Sequence, residues 1–392
     1  MRRKLIYCVA AACTAMLLCG CAKMENGRGK NGHIRINVKS DNATKADAVT
    51  TSSLEAAGKF VVDVFATDKW TKVDDYGNPV GDKHEAGSYI TSGGAANVLY
   101  SSASQIYTPG SEVRPGDDAT EGWYIYDSKG FEAYNWINGI KLRFWARYPQ
   151  DSEINVNGAS LSVSSSLTHT STTETFTYSL PTAAAGSDAT NQKDILFAYT
   201  ERTKQKQDAN DDIDITFHHA LSEVRFCVSP DDGTFDVSLK IKSIEITDVP
   251  SSGTCTFKPS GTIADQNMFI WGSYGALESY SQDYNASFDV APTGWDGSEY
   301  DTTNHKHIYT CQNAFMLIPH TTSASTKLMI TFYDTIEGTD VPSREVNIKD
   351  TVLKPGHYYT YKICAIKVGR SISSYVVLTD WSDHDSKINI PC

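Results

Sequence analysis

The sequence predicts an all-β protein, and three observations carry that expectation. Short apolar runs alternate with polar residues at period two, as in Ile34-Arg35-Ile36-Asn37-Val38. Clusters of Gly, Pro, Asn and Asp, such as Pro115-Gly116-Asp117-Asp118 and Pro230-Asp231-Asp232-Gly233, punctuate those runs. Helical periodicity is almost missing, with residues 87–100 the one weak candidate. Taken in order, residues 22–32 are polar and glycine-rich and read as a flexible tether. Residues 33–39 alternate as a half-buried strand, residues 40–58 form a Ser/Thr-rich loop, and residues 60–65 (Phe-Val-Val-Asp-Val-Phe) are a second strand. Further strand-like runs fall at 123–126, 141–147, 194–199, 213–217, 220–228, 237–247, 313–318, 327–333, 344–348, 357–368 and 374–379. Many short strands rich in Thr, Ser and Tyr argue for β-sandwiches with aromatic and hydroxyl faces.

The first residues carry an address. Met1-Arg2-Arg3-Lys4 precedes an apolar run from Leu5 to Leu18, and Leu18-Cys19-Gly20-Cys21 closes it. That pattern reads as a secretory signal over residues 1–20 ending in a lipobox, with Cys21 acylated as the first mature residue. The run is too short for a permanent membrane span. Without Arg2, Arg3 and Lys4, 32 basic residues face 47 acidic ones, a formal charge of −15. Such an acidic chain argues against nucleic acid or anionic lipid as a partner, since both require a cationic surface. Five cysteines lie beyond Cys21: Cys227, Cys255, Cys311, Cys364 and Cys392. An odd number cannot pair completely within one chain, and no CxxC pair points to a zinc site or a redox motif. At 392 residues the chain has room for two cores, and the charged interval 200–212 is the best boundary between them.

Motifs of catalysis are missing: no GxSxG elbow, phosphate-binding loop, HExxH or dinucleotide fingerprint occurs. Neither enzyme activity nor a cofactor or metal is expected. His305-Lys306-His307 places two imidazoles at strand spacing, but no third ligand accompanies them and a solvated loop explains them better. The acidic run 208–214 lacks the Gly and terminal Glu of a calcium loop and reads as a charged linker. As neighbours on a strand, His218 and His219 point to opposite faces, which suits a structural role at a strand corner. Aromatics are plentiful: Trp123, Tyr124, Tyr126, Tyr134, Trp136, Trp271, Tyr274, Tyr280, Tyr284 and Trp295. They leave open a second reading, a monomeric surface lipoprotein that stacks glycans on aromatic faces, against the plainer one that sandwich cores consume aromatics.

Four stretches, in order, give the chain a family resemblance. Tyr134-Asn135-Trp136 with Gly139-Ile140-Lys141-Leu142-Arg143-Phe144-Trp145-Ala146-Arg147-Tyr148-Pro149 is the first. Asp194-Ile195-Leu196-Phe197-Ala198, followed by Ile215-Thr216-Phe217-His218-His219-Ala220-Leu221-Ser222-Glu223-Val224, is the second. Asn313-Ala314-Phe315-Met316-Leu317-Ile318-Pro319 and Leu353-Lys354-Pro355-Gly356-His357-Tyr358-Tyr359-Thr360-Tyr361 complete the set, with Asp380-Trp381 resembling the end of a last core strand. Behind a lipobox, this order resembles the fimbrillin family, the building blocks of type V pili in Gram-negative anaerobes.

The resemblance implies two transthyretin-like Greek-key β-sandwich domains in tandem, here residues 46–205 and 206–392. It also implies a mechanism. The lipidated precursor carries an N-terminal strand that completes a sheet, a protease cuts the following loop, and a neighbouring subunit's strand fills the vacated groove. On this chain, residues 21–45 would be the tether and removable strand, with Ile34, Ile36 and Val38 as its inward side chains and Lys45-Ala46 as the processing site. The commoner family pattern is Thr-Arg-Ala; Lys45 stands where Arg is usual, so an Arg-specific protease would not cut here. Part of a donor strand is offered by residues 375–378. The implied partners are other fimbrillin subunits in a homo- or hetero-polymer, the outer membrane through the lipid, a processing protease, and a host or bacterial surface ligand. The implied location is the outer membrane's exposed face and the fimbria.

Overall fold

The computed structural model describes residues 34–40, 60–68, 70–73, 79–84, 106–107, 123–125, 136, 139–149, 151–154, 157–163, 167–182, 191–204, 212–228, 239–263, 265–289, 312–368, 371–380 and 387–389. Most of them are strand. The first part holds β1 (Arg35–Ser40), β2 (Val61–Ala66), β3 (Trp70–Val73), β4 (Pro79–His84), β5 (Ile106–Tyr107), β6 (Trp123–Ile125) and β7 (Lys141–Tyr148). One helical turn, α1 (Asp151–Ile154), leads to β8 (Ser160–Val163), β9 (Glu174–Ser179), β10 (Leu196–Thr203) and β11 (Asp212–His219). Next come β12 (Ser222–Val228), β13 (Leu239–Pro250), β14 (Ser252–Phe257), β15 (Phe269–Gly272), β16 (Leu277–Asp289) and β17 (Gln312–Leu317). The last are β18 (Lys327–Asp334), β19 (Thr339–Asn347), β20 (Tyr358–Val368), β21 (Ser371–Asp380) and β22 (Lys387–Asn389). The helical candidate at 87–100 falls outside the described residues.

Pairing runs in the order β2-β7-β10-β11-β1-β6-β5, but the join in the middle is narrow. Strands β10 and β11 are in register only at Leu196–His219 and Phe197–His218. Beyond that corner they part, and β11 instead pairs with β1 in parallel from Asp212 to Phe217. Strands on either side of the corner share one core. Val62, Val64, Leu142, Phe144, Leu196 and Ala198 come from one side, and Ile34, Ile36, Ile213, Ile215 and Phe217 from the other. Phe60 meets Phe217 edge-on across this core, ring centres 5.2 Å apart. β11 shows why its sequence alternates: Ile213, Ile215 and Phe217 are buried while Asp214 is exposed.

The reverse face of β2, β7 and β10 is covered as well. Phe65, Trp145 and Phe197 project there against the sheet β15-β14-β9-β8, where Phe197 stacks on Phe176 at 4.3 Å and meets Phe257 at 5.6 Å. Burial on both faces explains why residues 60–65 read as an almost continuous apolar run rather than an alternating one. This second contact joins distant parts of the chain, because β9 pairs with β14 from Glu174–Phe257 to Ser179–Ser252. Pairing therefore crosses the polar interval at 200–212, whose first four residues end β10 and whose last begins β11.

A second sandwich follows. The sheet β17-β12-β20-β21-β22 and the sheet β16-β13-β18-β19 share a core that includes Val224, Phe226, Phe315 and Tyr361 from the first and Ile241, Ile244, Ile330 and Phe332 from the second. Apolar spacing along β13 slips between Ile241 and Ser243, against β18, and again between Ile246 and Val249, against β16, where one extra residue on β13 keeps the apolar side chains inward. Edge strand β19 is protected by Pro342 and by charges, with Lys327 and Glu345 paired across to β18 at 2.5 Å. On the other face of β12, Glu223 and Arg225 form a buried ion pair, and the Arg225 guanidinium lies 4.1 Å from the centre of the Tyr358 ring.

Two outcomes are expected. Arg225→Met leaves the Glu223 carboxylate buried without that guanidinium and costs about 3–5 kcal/mol in denaturant unfolding, whereas Arg225→Met with Glu223→Leu recovers most of the loss. Cys255 is buried in β14 with a free thiol whose pKa burial pushes up, so alkylation of the native protein leaves it unmodified until the chain unfolds.

Candidate functional site

β1 is the interior strand of its layer. One edge pairs in parallel with β11, Arg35 opposite Asp212 through Ser40 opposite Phe217, and the other pairs antiparallel with β6 at Arg35–Tyr124 and Ile36–Trp123. Ile34 and Ile36 are 1% and 0% exposed and sit in the core with Phe217, Phe144 and Trp136. Full burial of each isoleucine side chain is worth about 1.5–3 kcal/mol. Val38 stands opposite Ile215 in the ladder. Lifting β1 out would expose a groove walled by the backbone edges of β11 and β6 and floored by those apolar side chains. Open edges and apolar pockets are the features that capture an extended segment by strand addition.

Of the other positions singled out in the sequence, Cys21, Lys45 and Ala46 lie outside the described residues, as do His305 and His307. Asp212 and Asp214 belong to β11, and residues 208–211 lie outside. Among the described residues no group of three or more His, Cys, Asp or Glu is placed to hold a metal, and no helix is long and apolar enough to cross a membrane. Residues 375–378 are the middle of β21, between β20 and β22, so a donor role for them requires leaving both neighbours.

The aromatics are largely committed to structure. Trp136, Tyr280 and Tyr284 are buried. Trp271 packs edge-on against Phe176 and donates its indole N–H to the Ala220 carbonyl at 2.9 Å. Tyr274 is 44% exposed, and its hydroxyl donates to the Pro319 carbonyl at 2.8 Å. Tyr126, Tyr134 and Trp295 lie outside the described residues, and Trp123 and Tyr124 belong to β6. Trp136, Trp271, Tyr274, Tyr280 and Tyr284 thus serve cores and corners rather than one stacking platform.

A cluster that the sequence did not single out lies at the corner where β10 and β11 meet. Gln192 accepts the backbone N–H of Met316 on β17 at 2.8 Å. The Lys193 carbonyl accepts the Tyr178 hydroxyl of β9 at 3.2 Å. Asp194 accepts from Nδ1 of His219 at 2.6 Å, with both residues buried. The Ile195 carbonyl takes the N–H of Ala220 at 2.9 Å. Four consecutive residues thus reach β17, β9, the end of β11 and the residue just past it. The sequence pointed to a structural role for His219 at a strand corner, which it has, and 194–198 and 215–224 both belong to motif stretches; that Asp194 would be its partner was not readable.

Comparison with known proteins agrees with the geometry. The fimbrillin-like family model matches residues 107–381. A fimbrial protein from Bacteroides vulgatus superposes with a TM-score of 0.51 at 15% identity, covering 90% of this chain and 100% of that one. A fimbrial assembly protein from Parabacteroides distasonis gives a TM-score of 0.36 at 12% identity, covering 83% and 89%. The fimbrial anchor protein of Porphyromonas gingivalis gives 0.29 at 10% identity, covering 88% and 97%. No curated protein matches this chain in sequence. The first of these structures supports the sandwich-like all-β fold, and the family match extends over most of the chain. The chain belongs to the fimbrillin-like family and is a non-catalytic structural or accessory component of fimbriae at the cell surface.

Proposed function

We propose that this protein is exported as a lipoprotein acylated at Cys21, is cut between Lys45 and Ala46, and joins a fimbria by exchanging its N-terminal strand for a strand of a neighbouring subunit. One observation carries the reading: β1 is an interior strand, yet the cut would leave it attached by non-covalent contacts alone. Ile34 and Ile36 fill the core at alternate positions, and a replacement strand needs apolar residues at the same spacing. In sequence, Val38 is the next apolar residue at that spacing. A join made by a full ladder and buried side chains dissociates slowly, which suits a fibre under load.

In this reading the chain forms two transthyretin-like Greek-key sandwiches, residues 46–205 and 206–392, with β11 from the second segment completing the first sandwich. Before cleavage the lipid holds the protein on the outer membrane; a diacylated cysteine meets the need for two hydrophobic chains in stable anchoring. Lys45 calls for a processing protease that accepts lysine. The partners are other fimbrial subunits, and surface adhesion is directed at a host or bacterial ligand.

N-terminal sequencing of surface-released protein is expected to begin at Ala46, with a ladder of high-mass species on an unboiled gel. Lys45→Ala should leave an acylated start at Cys21 and remove the ladder. A chain that stays monomeric whether or not residues 22–45 are present would overturn assembly by strand exchange. Ile36→Asp, which places a carboxylate in the core of the precursor, should lower unfolding stability by at least about 2–5 kcal/mol in a denaturant titration.

A further inference from the structure

A groove that loses its central strand must keep its walls in place until another strand arrives. In this protein one wall is split between two partners. Residues Asp212 to Phe217 of β11 have their ladder with β1, whereas only His218 and His219 are in register with β10. When β1 leaves, the first six residues of β11 lose that ladder and the last two keep theirs. The end that stays is the end held by the corner cluster. His219 is bonded to Asp194 at 2.6 Å, with residue exposures of 7% and 4%. Immediately beyond it, the Ala220 N–H donates to the Ile195 carbonyl and the Ala220 carbonyl accepts from Trp271. Asp194 itself is fixed through its neighbours, since Gln192 holds β17 and the Lys193 carbonyl holds β9.

We propose that Asp194 and His219 are positioning residues of the exchange groove: they pin the C-terminal end of β11 so that its open edge stays in register while Arg35–Ser40 is absent. This inference rests on the strand-release reading above and adds the element that keeps the acceptor competent. A hydrogen bond between an imidazole N–H and a carboxylate in a buried corner is strong and directional, which a pivot requires. Because side chains alternate along a strand, a slip of one residue at His219 would turn Ile213, Ile215 and Phe217 away from the core, and the incoming strand would meet the wrong face.

Hydrogen exchange on the full chain separates the two ends of β11. In Ile36→Arg, which unseats β1, amides 213–217 should exchange at least about tenfold faster, while those of 219 and 220 stay within about threefold of the unaltered chain. Adding Asp194→Ala should open 219 and 220 as well, and Asp194→Asn, which retains an acceptor for the imidazole N–H, should restore their protection. Alone, with β1 seated, Asp194→Ala should leave 213–217 protected. If Ile36→Arg fails to fold, judged by exchange of β14 amides, Ile36→Ala provides the milder unseating and the same order of opening is expected. The proposal is overturned if β11 opens as one unit in the Ile36 variants, or if Asp194→Ala changes nothing in their background. Neither result depends on polymer formation, so a chain that never assembles would refute the strand-exchange reading while leaving this test intact.

Discussion

The structure depends on one backbone ladder, the parallel pairing of β1 with β11. Buried N–H and C=O groups need partners, and for Asp212 to Phe217 those partners are Arg35 to Ser40. The same strand supplies β6 with its neighbour and seats Ile34 and Ile36 in the core. Remove it from the layer and three things fail together: the ladder on β11, the attachment of β6, and the closure of the apolar core. An interior strand near the start of the chain is therefore the most consequential element of its layer, and under the proposed cut it would be held by non-covalent contacts alone.

The remaining architecture keeps that vulnerability local. Strands β2, β7 and β10 are packed on both faces, by the core around Ile36 on one side and by β8, β9, β14 and β15 on the other. The β9–β14 pairing ties residues 174–179 to residues 252–257, so the two parts of the chain are interlocked rather than strung in series. The corner at 192–195 adds polar bonds to three different sheets within four residues. Such a frame does not rest on β1 alone, as the proposed strand exchange would require.

Glu223, Arg225, Cys255 and His320 are committed to packing. The buried ion pair of Glu223 and Arg225 is stacked on Tyr358 and serves packing. Cys255 is held as a thiol by burial. His320 bonds to the Ile318 carbonyl, and its burial lowers its pKa and favours the neutral imidazole. Titratable groups in these places set the shape of corners and interfaces.

Much of the strand content was legible from period and turn residues: β1, β2, β7, β11, β12, β18 and β20 all coincide with runs that alternate or read as continuous apolar strands. β8, β9 and β14 escaped because their outward positions are Ser and Thr, as in Ser160, Ser162, Thr175, Thr177, Thr254 and Thr256, so they resembled the hydroxyl-rich loops around them. Of the candidate site, the inward spacing of Ile34 and Ile36 could be read directly, because alternation is a property of a few adjacent residues. The corner of Asp194 and His219 could not, because no local period marks two polar residues that meet only after folding. By itself the sequence determined those strands whose side chains alternate or run continuously apolar, and which of their side chains share a face, since both follow from local backbone geometry. Only the tertiary structure decided that β1 lies beside β11 across the intervening residues 41–211. Ladder hydrogen bonds are chemically alike for every strand, so the choice of partner comes from the shape of the whole core.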